Sequence, residues 1–484
     1  MTADGTTTTE RPVRPARTDD VTAVHGARWI TAGSLAVGVL NYGYALLLTR
    51  LLDADAYAVF AAGAGLVQCA ATVAVVAIPW VLAQALVRAT SQAERANAIR
   101  FAVVFAVAGG ILAGGIVAAV AAQFAGTATT GVLAGVTLLI YVTRVTNGWL
   151  QGTERMGTLA CVITSEAVLK LAVGVLLVSS LGLADTGALA ACGIAVLPFL
   201  IWWPYRTRGG DRRWLDFTAN RDLWRRALEL GSIQGMVALM AAVDVVVVAL
   251  LATDGTEAAS FQASVMLGRA PLFVAGAISV AFFPALSRRR RGTPLAGSAV
   301  RMYLIVALPV TVVCATAPEA VITTVFPSEY SMMGSLLLFA AVSGFAIGGI
   351  NLASTFFQAV NDRSCLRRQA AGLLVFVAAL LAGWHIGGVL GLAIGGACGS
   401  VAALLLLVHR LVRTHGLRVF PRIPLVEPAL VTGALLLLRP LPVMWLIAAT
   451  ATGVLAGVRF FRQRADANTQ LPDAVADQER TDSS

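Results

Sequence analysis

Fourteen apolar stretches, most of them close to twenty residues long, follow one another along this 484-residue chain. A helix rises ~1.5 Å per residue, so ~20 residues cover the ~30 Å hydrocarbon core of a bilayer. The stretches lie at residues 29–49, 57–82, 101–122, 131–150, 158–180, 187–203, 227–251, 259–283, 302–325, 334–358, 370–385, 389–408, 426–438 and 443–461. Charged residues form 13% of the chain, far below the roughly 25% of soluble domains. The expected fold is an all-α polytopic membrane protein with 14 transmembrane helices.

The basic residues fix the expected orientation. Of 36, thirty-one fall on alternate connecting segments and the two tails, and only Arg50 and Arg439 fall on the other connections. Cationic loops stay on the cytoplasmic side, which predicts a cytoplasmic (inner) membrane protein with both termini in the cytoplasm. The net charge of +10 is then a topology signal, including the run Arg288–Arg291, and no nucleic-acid surface is expected. Membrane lipids are the expected partners of such basic rims. Residues 1–27 and 462–484 lack apolar periodicity and read as disordered cytoplasmic tails.

Two sets of segments repeat. LLDADAYAVFAAGAGL (51–66) resembles LATDGTEAASFQASVML (251–267), aligning Asp53 with Asp254 and Phe60 with Phe261; WLQGTER (149–155) resembles FFQAVNDR (356–363). The chain thus divides into an N-lobe (28–203), a basic linker (204–226), a C-lobe (227–408) and two further spans with their basic loop (409–461). Six spans is an even number, so the two six-helix lobes share one orientation and are related by a pseudo-twofold along the membrane normal. Repeats of that kind rock about a site between them.

Five ionisable residues interrupt the spans: Arg144, Glu166, Lys170, Asp244 and Arg269. The segment Thr158–Ser180 shows the conflict best. Glu166 and Lys170, the chain's only lysine, lie near its middle; each charge there costs about 2.5–3.5 kcal/mol, nearly cancelling what the Leu, Ile and Val residues return. Such residues need a bundle interior or a polar cavity. Glu166 and Lys170 are spaced to pair along one helix face, Arg144 lies at a depth that also reaches Glu166, and Asp244 and Arg269 are at matching depths in spans 7 and 8. None recurs in the other lobe: Arg144 aligns with Asn351, Asp244 with Gly43 and Arg269 with Gln68. Three cations against two carboxylates leave one positive charge uncompensated, as an anionic head group would require. Arg144, Lys170 and Arg269, with the polar mid-span residues Asn41 and Asn351, are the candidate substrate-binding residues. Glu166 and Asp244 are the candidates for charge balance or ion coupling.

Other chemistry finds little footing. The four histidines are dispersed, the lone lysine follows no glycine-rich loop, and no cysteine lies on an outer loop, so neither a metal site, a nucleotide site, a cofactor nor a disulfide framework is expected. The outer segments, such as QFAGTATT and FPSEYSMM, offer too little for an enzyme. The small-residue stripes Gly110–Gly114 and Gly387–Gly391–Gly395–Gly399 read as helix-packing seams.

The segments TRLLDADAYAVFAAGAGLVQ, LQGTERMGTLA, RAPLFVAGAISVAFFPALSR and FFQAVNDRSCLRRQAAG, in this order and spacing, resemble the polysaccharide-export flippases (Wzx type). Those belong to the MATE/MOP flippase superfamily, which also holds multidrug antiporters and the lipid II flippase. The first span, WITAGSLAVGVLNYGYALLLT, lacks the acidic residue and proline of many proton-coupled multidrug relatives and the mid-helix arginine of the lipid II flippase; both absences favour the polysaccharide branch. The resemblance implies transport of an undecaprenyl-pyrophosphate-linked oligosaccharide by a monomer, with glycosyltransferases and a polysaccharide polymerase as partners in surface polysaccharide biosynthesis. A cation-coupled multidrug or metabolite antiporter is the competing expectation on the same fold.

Overall fold

A computed structural model describes residues 37–204, 221–288, 293–360, 362, 364–415 and 426–459, and every regular element among them is helical. The two tails, most of the 204–226 linker and the arginines at 289–291 lie outside the described residues. The chain is a multi-pass membrane protein: among the described residues ten helices are long and apolar enough to cross a bilayer, or eleven with one bent pair counted as a single span.

The first half begins with α1 (37–51). Asp53 then caps α2 (Ala54–Ala77) by accepting the Ala56 N–H at 2.7 Å. Pro79, which has no N–H to donate, ends α2 and opens α3 (Pro79–Arg88). The helical run therefore reaches Arg88, past the limit of residue 82 expected from hydropathy. Ser91 caps α4 (Gln92–Ala121), and the Glu94 carboxylate returns to the Thr90 N–H at 2.8 Å. Next come α5 (Thr127–Gly152), α6 (Met156–Val175), whose last turn Leu176–Ser180 widens to a π-helix, α7 (Ala184–Ala195) and α8 (Pro198–Ile201).

The second half departs from the expected continuous spans. Span 7 is two helices, α9 (Arg221–Met240) and α10 (Val243–Leu251), bent by 47°. Span 8 is also two, α11 (Gly255–Gly268) and α12 (Ala270–Arg288). Span 9 stops at Ala315: α13 (Thr293–Ala315) is followed by a separate short helix, α14 (Glu319–Val325), because Pro318 lies between them. α15 (Met333–Ala359) leads to the long run Ser364–His415, which leaves helical geometry at Gly387 and Gly388. Gly388, at φ +57°, takes the left-handed conformation glycine favours. The halves of that run, α16 (364–386) and α17 (389–415), fold back on each other, with Gly391 against Gly383, Gly395 against Ala379 and Gly399 against Phe376. The glycine seam is thus a packing device, but Gly387 belongs to the turn and faces open space. α18 (Val426–Leu438) and α19 (Pro442–Arg459) complete the chain.

A Cβ on Gly391 would collide with the Gly383 carbonyl oxygen, whereas one on Gly115 of α4 meets nothing within 4 Å. Gly391→Ala is expected to destabilise by about 1–3 kcal/mol through overpacking. Gly115→Ala should be neutral or stabilise by up to about 1 kcal/mol through helix propensity. Thermal unfolding of the two variants in one detergent compares them; equal midpoints would show that the seam is loose.

The largest apolar core draws mostly on residues 44–199 but takes in Ala259, Ala263, Ile322, Phe326, Tyr330, Met333 and Leu337, and a second draws on 237–411 with Ala58 of α2. The halves touch at both ends of the bundle. At one end, Arg50 donates to the carbonyls of Thr324 (2.6 Å) and Val325 (2.9 Å) at the close of α14, and Gln262 donates to the Ala58 carbonyl at 3.0 Å. At the other, the Trp224 ring of α9 sits edge-on to Phe101 and Phe105 of α4, 5.1 and 5.2 Å between centroids. The aligned pair Asp53 and Asp254 do the same local work. Asp254 caps α11 by accepting the Thr256 N–H (2.8 Å) and hydroxyl (2.7 Å). These bonds hold its carboxyl below the usual aspartate range.

Candidate functional site

The charged residues within the spans gather into two clusters, one in each half. In the second half both members stand at helix breaks. Pro271 supplies no N–H to the Leu267 carbonyl, and its ring crowds that oxygen, so α11 ends at Arg269. Side chains from outside reach the carbonyls at the break: Tyr42 Oη donates to the Met266 oxygen at 2.5 Å, and Cys314 Sγ approaches the Leu267 oxygen at 3.7 Å. α15 crosses this break backbone to backbone, and a Cβ on Gly344 would strike the Gly268 carbonyl. Asp244, only 3% exposed, opens α10 and accepts the Val245 N–H at 2.8 Å. Arg269 Nη2 reaches the same carboxylate oxygen at 2.5 Å. The anion thus lies at a helix N-terminus and the cation at a helix C-terminus, where the backbone dipoles favour each sign.

In the first half, Arg144 of α5 is 9% exposed, and its Nη2 lies 3.6 Å from Glu166 Oε1 of α6. Its guanidinium carbon stands 5.6 Å from the centre of the Phe199 ring, and its Nε is buried without a hydrogen-bond partner. An orphaned donor of this kind costs about 1–3 kcal/mol, so Arg144 has unused capacity for an acceptor. Lys170 lies one turn beyond Glu166 on the same helix, yet it turns to α1. Its Nζ donates to Asn41 Oδ1 and stands 5.4 Å from the centre of the Tyr44 ring. No carboxylate pairs with Lys170 among the described residues. Tyr44 is itself held by donating to the Ala188 carbonyl at 2.8 Å, and it fits only because Gly174 has no side chain.

Asn41, Lys170, Arg144 and Glu166 therefore share one neighbourhood, and Asp244 and Arg269 another. Asn351, half-buried on α15, makes no hydrogen bond to any of these six. Sequence reasoning missed Tyr42, Tyr44 and Phe199; the run NYGY in a span otherwise poor in aromatic residues was the available signal. A cleft of about 540 Å³ at the Arg50 end, lined by Asp53, Asp55 and Asp185 among others, contains none of the seven candidates. All six cysteines are free, and among the described residues no three His, Cys, Asp or Glu side chains are placed to hold a metal.

No protein-family model and no curated protein matches the sequence. Solved structures do match in three dimensions. The lipid II flippase MurJ in an inward closed conformation superposes with a TM-score of 0.68 at 12% identity, over 90% of this chain and all of that one. An inward-facing multidrug resistance MATE transporter of the MOP superfamily gives 0.60 at 17% identity, over 79% of this chain and 95% of that one. An outward-facing conformation of such a transporter gives 0.53 at 18%, over 82% and 96%. The chain has the MOP-type transporter fold. Within that fold the second-half cluster stands at two helix breaks, and the first-half cluster lies on the continuous helices α1, α5 and α6.

Proposed function

We propose that this protein is a flippase carrying an undecaprenyl-pyrophosphate-linked oligosaccharide repeat unit across the cytoplasmic membrane for surface polysaccharide biosynthesis. The observation that carries the reading is Lys170, a cation within a span whose partners are a neutral amide and an aromatic face instead of a carboxylate. Arg144, with its orphaned Nε, adds a second under-used cation nearby. A pyrophosphate satisfies both through charge-assisted hydrogen bonds, while Asn41 and Asn351 meet the sugar. Fourteen spans, two six-helix lobes and two further helices, with both termini in the cytoplasm, would alternate access around this site, with the Arg50 end as the outer face and the Arg50–Val325 contacts closing it. The carboxylates that an organic-cation antiporter would offer its substrate, Glu166 and Asp244, each already face an arginine, which weighs against that second reading.

The reading is tested in proteoliposomes containing the full chain and a fluorescent undecaprenyl-pyrophosphoryl oligosaccharide. The labelled lipid is expected to move between leaflets only when the protein is present, and excess organic cations should not compete. Failure to move the lipid, together with saturable exchange of organic cations, would replace the flippase by the antiporter.

A further inference from the structure

We infer that two neighbouring residues of α1, Asn41 and Tyr42, carry the news of anion binding from Lys170 to the helix break that bears Arg269, so that Tyr42 is a positioning residue for the second cluster. The inference rests on the anion-carrying reading above.

Asn41 and Tyr42 are consecutive, so at 3.6 residues per turn their side chains leave the helix about 100° apart. One turns into the first half and the other into the second. Asn41 Oδ1 accepts from Lys170 of α6. The Tyr42 hydroxyl donates to the Met266 carbonyl at 2.5 Å, and its ring sits edge-on to Phe273, 6.0 Å between centroids and 71° between planes. Met266 and Phe273 lie on either side of Arg269, so one side chain clasps both flanks of the break. The first turns of α1 are open on one face, where a Cβ on Gly38 or Gly43 would meet nothing within 4 Å, whereas Tyr44 and Leu48 bury its later turns. The open end shifts at lower cost than the buried one.

A phosphate oxygen arriving at Lys170 competes with the Asn41 amide oxygen. The ammonium is the charged donor in both bonds, but the phosphate oxygen also bears a full negative charge and the amide oxygen only a partial one, so the ammonium turns to the anion and Asn41 is released. α1 then keeps its Tyr44 anchor at Ala188 but loses the tie immediately before Tyr42. The clasp on Met266 and Phe273 loosens, and Arg269 gains freedom to leave Asp244 and meet the same anion. In this arrangement the second cluster opens only after the first is occupied.

The test uses the full chain in nanodiscs of neutral lipid, with inorganic pyrophosphate as the probe. Equilibrium dialysis gives binding, and hydrogen–deuterium exchange with mass spectrometry follows the amides of residues 264–273. In the wild type, saturating pyrophosphate should raise exchange there about threefold or more, as expected for local opening. Tyr42→Phe should bind pyrophosphate as the wild type does, show the raised exchange without it, and change no further on binding. A structural role alone would raise basal exchange but leave the ligand response intact. Phe273→Leu removes the other half of the clasp and should behave in the same way to a smaller degree, which keeps the test open if Tyr42→Phe does not fold. A parallel arm with nanodiscs containing polyprenyl pyrophosphate distinguishes a lipid-borne from a free anion. Pyrophosphate that binds without changing exchange at 264–273 overturns the coupling and leaves the anion site standing. Absence of binding in both arms overturns the two together.

Discussion

Lys170→Ala is expected to cut the initial rate of lipid translocation by roughly 10- to 150-fold at sub-saturating substrate, with the protein still inserted and folded. The range follows from a lost charged hydrogen bond of about 1.5–3 kcal/mol, at one decade per ~1.4 kcal/mol. The effect is large because, of the three span cations, Lys170 alone lacks a carboxylate partner: Arg144 and Arg269 each face a carboxylate, whereas Lys170 faces only Asn41 and Tyr44. Folding should survive, since the alanine leaves a neutral amide on a half-buried helix face and no buried charge. Lys170→Arg should retain part of the rate by keeping the charge. Proteoliposome flux at matched protein density measures all three forms. A wild-type rate for Lys170→Ala would remove the anion site from this part of the protein.

Asp244→Ala should be the most destabilising single change within the spans, by about 3–5 kcal/mol. It leaves Arg269, whose side chain is 15% exposed, without its counter-charge, and it strips the Val245 N–H of its acceptor at the start of α10. Both helix breaks would then lose the contact that joins them. The double variant Asp244→Leu/Arg269→Met buries no charge and is expected to recover most of the lost stability, while failing in transport if Arg269 meets the substrate. Thermal unfolding and flux measured on the same preparations separate these outcomes. If Asp244→Ala melts with the wild type, the pair is not what holds the breaks together, and the bend of 47° in span 7 has another cause.

Much of the fold was legible because its determinants are local. The length of an apolar run decides whether a helix crosses a bilayer, and Asp53 and Asp254 announce the starts of α2 and α11 through side chains that cap their own amides. Pro271 was legible in principle, although hydropathy alone drew one span across it. The break before Asp244 was not: residues 240–244 read Met-Ala-Ala-Val-Asp, with neither proline nor glycine. There the carboxylate meets an arginine 25 residues away, and the chain bends where that contact forms.

By itself, the sequence determined that this chain lives in a membrane as a succession of helices and which charges would sit inside the spans. Hydropathy and charge are properties of each residue, so these conclusions need no contact map. Tertiary structure alone decided how the charges are shared. Glu166 and Lys170 have the spacing to pair on one helix, yet Glu166 faces Arg144 of α5, and Lys170 takes Asn41, 129 positions earlier in the chain. The spacing along α6 permits its local pair, but the side chains turn toward what the neighbouring helices present. Whether a cation is satisfied or left for a ligand is settled by packing between helices, which no local pattern encodes.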